Sequence, residues 1–215
     1  MAVSKEDILF KNAFINSLLA GVFISIGGTV FVSLASAGNK IEGAIFFSIA
    51  LLSICMLGLF LFTGKVGYMV EDHSKNAVLA LLCGLGGNYI AATLFGVALS
   101  YALPKAQVFA ESMCETKLAL NPIGAFVLAF MCGILMYTAV HIYKLHKSLA
   151  GIFFCVPVFI LCGFEHSIAD MFYFAIARAF SFKYVLFLLI VILGNALGGM
   201  LIPFAKKFTE KPEAK

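Results

Sequence analysis

GFEHS, residues 163–167, interrupts one long apolar stretch of this chain, and LFTGK, residues 61–65, interrupts another. The backbone of a membrane span must satisfy its own hydrogen bonds, so an interruption at mid-depth persists only where it lines a cavity or packs within protein. An ionisable residue at that depth indicates a functional site. Two such interruptions in comparable places predict a transport path between two half-repeats.

The composition is typical of an integral membrane protein. Of the 215 residues, 62% are apolar and only 12% are charged, about half the charged fraction of a soluble domain. The net charge of +4 predicts no nucleic-acid partner, because a basic tail suits the anionic lipid of a cytoplasmic leaflet. We expect a single transmembrane channel domain over residues 1–215, surrounded by the lipid bilayer.

Six charge-free stretches set the predicted spans, since a helix needs roughly 20 apolar residues to cross a bilayer. They cover residues 12–39, 43–64, 76–104, 118–143, 148–164 and 184–205. The fifth is short, but it continues past Glu165 and His166 to about residue 177. The expected fold is an all-α integral membrane bundle of six helices, with the second and fifth interrupted.

The distribution of basic residues predicts the orientation, because six spans place both termini on one side. That side carries nine basic residues: Lys5, Lys11, Lys75, Lys144, Lys147, Lys206, Lys207, Lys211 and Lys215. The other side carries five: Lys40, Lys105, Lys117, Arg178 and Lys183. The positive-inside rule therefore predicts an inner-membrane protein with both termini in the cytoplasm. The first apolar stretch is too long for a signal-peptide core.

Cysteine usage and motif content predict no disulfide framework, no cofactor and no metal. Five of the six cysteines fall in apolar stretches: Cys55, Cys83, Cys132, Cys155 and Cys162. Cysteines in such places behave as small hydrophobic residues. The sequence contains no CxxC, HExxH or P-loop motif.

A weak internal duplication relates the two halves. LGGNYIAA at 85–92 matches ILGNALGG at 192–199, and each copy follows one of the interruptions. Repeat one would cover about residues 12–104 and repeat two about residues 118–207. Each contains three spans, so the two repeats would have opposite topology. Asn88 and Asn195 need hydrogen-bond partners inside a membrane, and we predict that they hold the two interruptions in shape.

These motifs resemble the formate/nitrite transporter family, which includes formate, nitrite and hydrosulfide channels. The resemblance covers about residues 11–208 and is carried by GFEHSIA at 163–169, LFTG at 61–64 and LGN at 193–195. It implies an aquaporin-like six-helix protomer, assembled as a homopentamer with one pore in each protomer.

The resemblance also implies which residues line the pore. Thr63 and His166 would meet at its centre, and Lys117, between the third and fourth helices, would attract the anion near the entrance. Two hydrophobic constrictions would flank the centre. They would consist of Phe47 and Phe159 on the outer side and of Leu51, Leu61, Phe62 and Met136 on the inner side.

The chain departs from the family's pattern at three places. The family often has Asn-Trp where this chain has Gly133-Ile134, and Asn where it has Asp170. Lys65 adds a charge directly after the first interruption. Loss of a polar side chain at Gly133 would suit hydrosulfide, a cargo that forms fewer hydrogen bonds than formate.

The predicted mechanism carries a weak acid across in neutral form. Desolvating an ion in an apolar constriction costs several kcal/mol, so a ring of Phe and Leu suits a neutral acid better than its anion. Lys117 would draw the anion inward, and a proton would arrive from water or from His166, whose pKa lies near neutrality in solution. Glu165 would pair with a basic group or with loop backbone.

Several alternatives stay open at this point. The anion could be formate, nitrite, hydrosulfide, acetate or lactate. A neutral-solute channel of the aquaporin type would use His166 only to shape the pore. A membrane-embedded enzyme could use Glu165, His166 and Asp170 as metal ligands. The two carboxylates are five residues apart, however, where one helical face needs three or four, so we do not expect an enzyme.

Overall fold

The computed structural model describes residues 5–209 and the side chains of residues 8–209. The predicted cytoplasmic lysines Lys211 and Lys215, and the side chain of Lys5, lie outside that description. The helices are α1 (Lys5–Ser36), α2 (Lys40–Met56), α3 (Phe62–Lys65), α4 (Lys75–Ala102), α5 (Pro104–Ala119), α6 (Pro122–His146), α7 (Ala150–Leu161), α8 (Ser167–Ile176) and α9 (Phe182–Thr209), with a 3-10 helix at Val66–Val70. The all-α prediction is confirmed.

Among the described residues, four helices are long and apolar enough to cross a membrane, judged by length and composition. They are the apolar part of α1 (Ile8–Ser36), α4, α6 and α9. The remaining apolar helices are shorter and flank the two interruptions. In the predicted six-span arrangement, α2 with α3 and α7 with α8 would supply the second and fifth spans.

Both interruptions begin with the same helix-ending motif. α2 ends before Gly58, at φ +67°, and α7 ends before Gly163, at φ +69°. In each case the residue after the glycine donates its N–H to a carbonyl five residues earlier, Leu59 to Ile54 and Phe164 to Phe159, both at 2.9 Å. This is the Schellman pattern, in which a left-handed glycine satisfies the last carbonyls of a helix.

Two helix pairs form the sides of the bundle, and α8 lies between them. The most extensive contacts join α1 to α4 and α6 to α9. α8 packs against α4, α1, α5 and α9, and all ten of its residues are buried. The short helix after the second interruption is therefore enclosed by protein.

The segment between the third and fourth apolar stretches is a helix, α5, where the pattern of apolar stretches predicts only a connection. α5 begins with Pro104 in its first turn, where a missing N–H costs nothing. Its polar and charged residues hid it from a search for apolar stretches. Lys117 lies in the last turn of α5, so a helix rather than a loop positions its ammonium group.

Glycines allow the closest approach between helices. A Cβ added to Gly198 on α9 would lie 2.0 Å from the carbonyl oxygen of Phe130 on α6. Any side chain at Gly198 must therefore push two backbones apart, which typically costs about 1–3 kcal/mol.

We expect Gly198→Ala to lower the thermal unfolding temperature of the detergent-solubilised protein. Gly86→Ala is the matched control, because a Cβ at Gly86 on α4 meets nothing within 4 Å. Alanine there should leave the temperature unchanged or raise it, since alanine is about 1 kcal/mol the better helix former. Equal effects of the two substitutions would contradict this account of α6–α9 packing.

Candidate functional site

Asn88 on α4 holds the first interruption. Its carbonyl oxygen accepts from the N–H of Phe62 at 2.9 Å, and its amide donates to the carbonyl of Phe60 at 3.0 Å. The second amide proton goes to the carbonyl of Ser17 on α1 at 2.8 Å. One fully buried side chain thus satisfies both sides of the interruption and ties it to a neighbouring helix.

Asn195 on α9 holds the second interruption with the same set of bonds. Its oxygen accepts from the N–H of Ser167, and its amide donates to the carbonyls of Glu165 and of Ala129 on α6, all at 2.8 Å. Each asparagine therefore spans one residue of its interruption: Leu61 in the first and His166 in the second. His166 and Leu61 therefore occupy equivalent positions in the two interruptions, and Thr63 follows Leu61 by two residues.

Thr63 and His166 are in direct contact. Thr63 Oγ1 lies 2.9 Å from His166 Nε2. His166 Nδ1 accepts the N–H of Ala169 at 3.1 Å, so the imidazole caps the N-terminus of α8. Because Nδ1 is an acceptor, the single ring proton belongs on Nε2 and points to Thr63 Oγ1. The ring is held as neutral imidazole, and the threonine hydroxyl keeps its own proton to donate elsewhere.

Aromatic rings stack beside this contact. The ring of Phe159 lies 5.5 Å from that of His166 in a stacked arrangement, and the ring of Phe47 meets Phe159 edge-on at 6.0 Å. The two positions assigned to the outer constriction thus form one aromatic cluster with the histidine. Leu51, Leu61, Phe62 and Met136, assigned to the inner constriction, are each at least 97% buried in the same apolar cluster.

Two cavities approach the contact between Thr63 and His166 from opposite ends of the bundle. The first-break cavity, of about 560 Å³, is lined by Leu61, Gly64 and Lys65 of the first interruption. The second-break cavity, of about 490 Å³, is lined by Phe159 and by residues 163–166 of the second interruption.

The course of α1 shows how far apart the two cavities open. Leu9 on α1 reaches the first-break cavity and Phe31 reaches the second-break cavity. The intervening stretch of helix measures roughly 33 Å at 1.5 Å per residue. Thr63, Phe47 and Leu51 line neither cavity and are almost fully buried between the apolar walls.

Lys117 lies in the second-break cavity and binds two carboxylates. Its Nζ contacts Glu165 Oε2 directly and lies 2.9 Å from Asp170 Oδ1. The side chains are 13%, 3% and 1% exposed, respectively. The expected pairing of Glu165 with a basic group is present, and the partner is the lysine that the sequence analysis assigned to anion attraction.

The spacing argument about Glu165 and Asp170 was wrong. Glu165 precedes α8 and lies in the interruption, so a helical face does not govern its distance from Asp170. Both side chains reach the same ammonium group across the sequence interval of five residues. Among residues 8–209, no three His, Cys, Asp or Glu side chains group as metal ligands.

Gly133 does not face the pore, so the reasoning that used it to favour hydrosulfide was also wrong. A Cβ at Gly133 would lie 2.3 Å from the carbonyl oxygen of Asn195. The residue is glycine in this chain because α6 meets the backbone of α9 there. Lys65, by contrast, is exposed in the first-break cavity, with its Nζ 5.7 Å from the ring of Phe60.

Comparison with known proteins identifies the family to which this chain is similar. The family described as Formate/nitrite transporter matches residues 1–206. The chain is 27% identical over 200 residues to the uncharacterized transporter YwcJ of Bacillus subtilis, covering 82% of this chain and 78% of that one. It is 28% identical to a formate-nitrite transporter of Plasmodium malariae, covering 86% and 72%. A 25% match to formate-nitrite transporter 3 of Toxoplasma gondii covers 79% of this chain but only 40% of the relative.

Solved structures share the fold at lower sequence identity. A pentameric formate channel with formate bound superposes with a TM-score of 0.80 at 23% identity, covering 96% of this chain and 98% of that one. An ion channel described as belonging to the FNT family superposes with a TM-score of 0.82 at 19% identity, covering 96% and 97%. The chain therefore shares the fold of these two solved structures over nearly its whole length.

We expect Asn195→Ala to destabilise the protein far more than the same substitution at an exposed cap. It leaves the N–H of Ser167 and the carbonyl of Glu165 without their partner, at about 1–3 kcal/mol for each buried group, and it removes the bond to the carbonyl of Ala129 on α6. Asn121→Ala is the control, because Asn121 is exposed and, among the described residues, its side chain bonds only the N–H of Gly124 at the start of α6, a cap worth about 1 kcal/mol. Thermal unfolding in detergent measures both, and similar losses would argue against the role of Asn195.

Proposed function

The chain belongs to the formate/nitrite transporter family, and from this premise we propose that it is a passive channel for small monovalent anions of weak acids, with formate as the type cargo. The single observation that carries the proposal is the arrangement around Thr63 and His166. Two cavities of several hundred Å³ end on either side of a short, buried, apolar barrier that contains one polar contact. Such a barrier suits a small neutral molecule that forms one or two hydrogen bonds.

The barrier favours the neutral acid over its anion for an energetic reason. Moving a carboxylate-sized ion from water into an apolar medium costs several kcal/mol even after relaxation. Phe47, Phe159 and Leu51 supply no hydrogen-bond donor that could replace the lost water. The anion therefore takes up a proton in the second-break cavity, crosses as the neutral acid, and releases the proton in the first-break cavity. Transport in the opposite direction reverses these steps.

His166 acts here as a fixed hydrogen-bonding group. Protonating it at Nδ1 would break its bond to the N–H of Ala169 and set two N–H groups against each other. Donation from neutral Nε2 would create an imidazolate, which is not accessible near neutral pH. The expectation that His166 supplies the proton therefore gives way to a positioning role, in which Nε2–H orients the hydroxyl of Thr63.

Thr63 is the group that meets the cargo. Its oxygen accepts from His166, so its O–H is free to donate to a carboxyl or nitrite oxygen. Lys117 assists on the approach, because an ammonium group has three N–H donors and only two carboxylates hold it. Because Lys117 lines the second-break cavity, its remaining donor would be available to the arriving anion.

The assembly and topology follow the family and its solved members. We propose a homopentamer with one pore in each protomer, six spans, and both termini in the cytoplasm. On this topology the first-break cavity opens to the cytoplasm. The matching bonds of Asn88 and Asn195 support two inverted repeats, about residues 12–104 and 118–207. No enzymatic step is needed, since protons and cargo are the only species exchanged.

We expect Thr63→Val to reduce formate flux about tenfold, the equivalent of about 1.4 kcal/mol in the barrier, because valine has the same shape without the hydroxyl. Thr63→Ser keeps the hydroxyl and should retain most of the flux. Proteoliposomes loaded with formate, nitrite, hydrosulfide, acetate or lactate measure both variants and rank the cargoes. Absence of flux for all five anions, with passage of uncharged solutes, would establish the neutral-solute channel instead.

We expect His166→Asn to lower flux without shifting its pH dependence. Asparagine is a good N-cap and can accept the N–H of Ala169, but it no longer orients Thr63. Flux should still rise as the pH falls, because more cargo becomes protonated. A steeper rise in His166→Asn than in the unmodified protein, measured in proteoliposomes from pH 5 to 8, would restore the histidine as the proton donor.

A further inference from the structure

The second-break cavity contains a buried ionic cluster in which charges do not balance. The triad of Lys117, Glu165 and Asp170 contains one ammonium and two carboxyl groups, and both carboxyl groups contact the same nitrogen. With all three ionised, the cluster would carry a net charge of −1. An uncompensated charge removed from water is costly, and buried groups avoid that cost by taking up a proton.

Among the described residues, no cation other than Lys117 pairs with Asp170; Lys40 on α2 also lines the second-break cavity, but it is exposed and forms no ion pair with the triad. α5 contributes Lys117 and Cys114, α6 contributes Cys132, α9 contributes Tyr184, and the interruption and α8 contribute Glu165, His166 and Tyr173. Thiols and phenols are uncharged near neutral pH, and His166 is held neutral by its bond to Ala169. α1 and α4 approach this part of α8 through Gly28 and Gly96. The triad must therefore balance its charge internally.

The free oxygen of Asp170 is the place for that proton. Asp170 Oδ1 accepts from Lys117, whereas Oδ2 is buried and has no hydrogen-bond partner among the described residues. An ionised carboxylate needs donors for both of its oxygens, and Oδ2 has none. A carboxyl group protonated on Oδ2 removes the excess charge and leaves the bond between Oδ1 and Lys117 intact.

We propose that Asp170 holds a proton in the second-break cavity and donates it to the anion before the anion enters the barrier. The proposal deepens the proposed function and rests on it. Asp170, Lys117 and His166 line the same cavity, so an anion that enters it shares the cavity with the carboxyl group of Asp170 before it meets the barrier. Asp170 is thus a proton-transferring residue of the channel, which the resemblance to the family does not assign.

The transfer step balances without any further reactant. The O–H bond at Asp170 Oδ2 breaks, and the proton forms an O–H or S–H bond on the anion. The electron pair of the broken bond stays on the carboxylate, which Lys117 stabilises. The neutral acid then crosses, and a proton from water in the second-break cavity restores the carboxyl group. No atom changes its oxidation state.

Infrared spectroscopy of the unmodified protein tests the resting state of the triad. We expect a protonated carboxyl C=O band at neutral pH that shifts in D2O and disappears in Asp170→Asn. Glu115→Gln, on an exposed position of α5, should leave the band in place. Absence of the band from the unmodified protein, or its persistence in Asp170→Asn, would overturn the proposal. This measurement needs no transport, so it stands even if formate is not the cargo.

Flux measurements test the transfer itself. In Asp170→Asn the proton must come from bulk water, so flux should become nearly proportional to proton concentration. It should match the unmodified protein near pH 5 and fall at least tenfold below it at pH 7.5. Asp170→Glu keeps an exchangeable proton and should restore part of the difference, while Glu115→Gln should change nothing. If the flux of Asp170→Asn divided by that of the unmodified protein stays constant across this pH range, the triad is a purely structural ion cluster and the inference is wrong.

The two results separate failure of the inference from failure of the proposed function. An unmodified protein that carries no anion, yet shows the carboxyl band, contradicts the channel function and leaves the protonated Asp170 standing. An unmodified protein that carries formate with the same pH profile as Asp170→Asn contradicts the inference alone. Thermal unfolding and size-exclusion profiles of each variant show that folded protein is compared in every case.

Discussion

The structure depends on satisfying backbone hydrogen-bonding groups where a helix is broken inside an apolar bundle. An unpaired peptide group costs several kcal/mol in such surroundings. Asn88 and Asn195 remove that cost, each by one acceptor bond and two donor bonds, so that both amide protons of each side chain are used. Because each amide also binds a neighbouring helix, an interruption cannot shift without losing three buried bonds together. The positions of Thr63 and His166 follow from this restraint.

That restraint also determines the chemistry of the histidine. His166 is the residue that the Asn195 amide spans, and its Nδ1 caps the N-terminus of α8. Capping and proton donation compete for the same nitrogen, so a histidine that ends the interruption in this way is held in one neutral tautomer. The polarity of the barrier then comes from Thr63, whose hydroxyl the ring orients. Under the proposed function, a proton for the cargo would therefore come from outside the barrier, and the carboxyl groups of the second-break cavity are its nearest source among the residues that line that cavity.

Most of the helical architecture could be predicted from apolar stretches, because the bilayer sets their length and the interruptions stand out as polar residues between them. α5 escaped prediction, since a partly polar helix beside the channel has no such signature. Gly133 was misinterpreted because a glycine that lets two helices touch looks, in sequence, like a missing side chain. The convergence of Glu165 and Asp170 on Lys117 depends on where α8 begins, and a spacing rule for continuous helices cannot supply that. The proximity of Thr63 to His166 came from the family resemblance and not from any periodicity.

The two halves use equivalent hydrogen bonds at their interruptions but differ in charge. Lys117, in the second-break cavity, is matched by two carboxylates, whereas Lys65, in the first-break cavity, has no ion pair with any described residue. Under the proposed function, a barrier that passes neutral molecules couples each of them to one proton, so one cavity would supply that proton and the other would receive it. A cluster with excess carboxyl groups suits the first task. The ammonium group of Lys65 suits the second, because it would stabilise the anion that forms again on ionisation. The difference in charge between the two cavities would then assign proton uptake and proton release to different sides, while net flux would still follow the gradient.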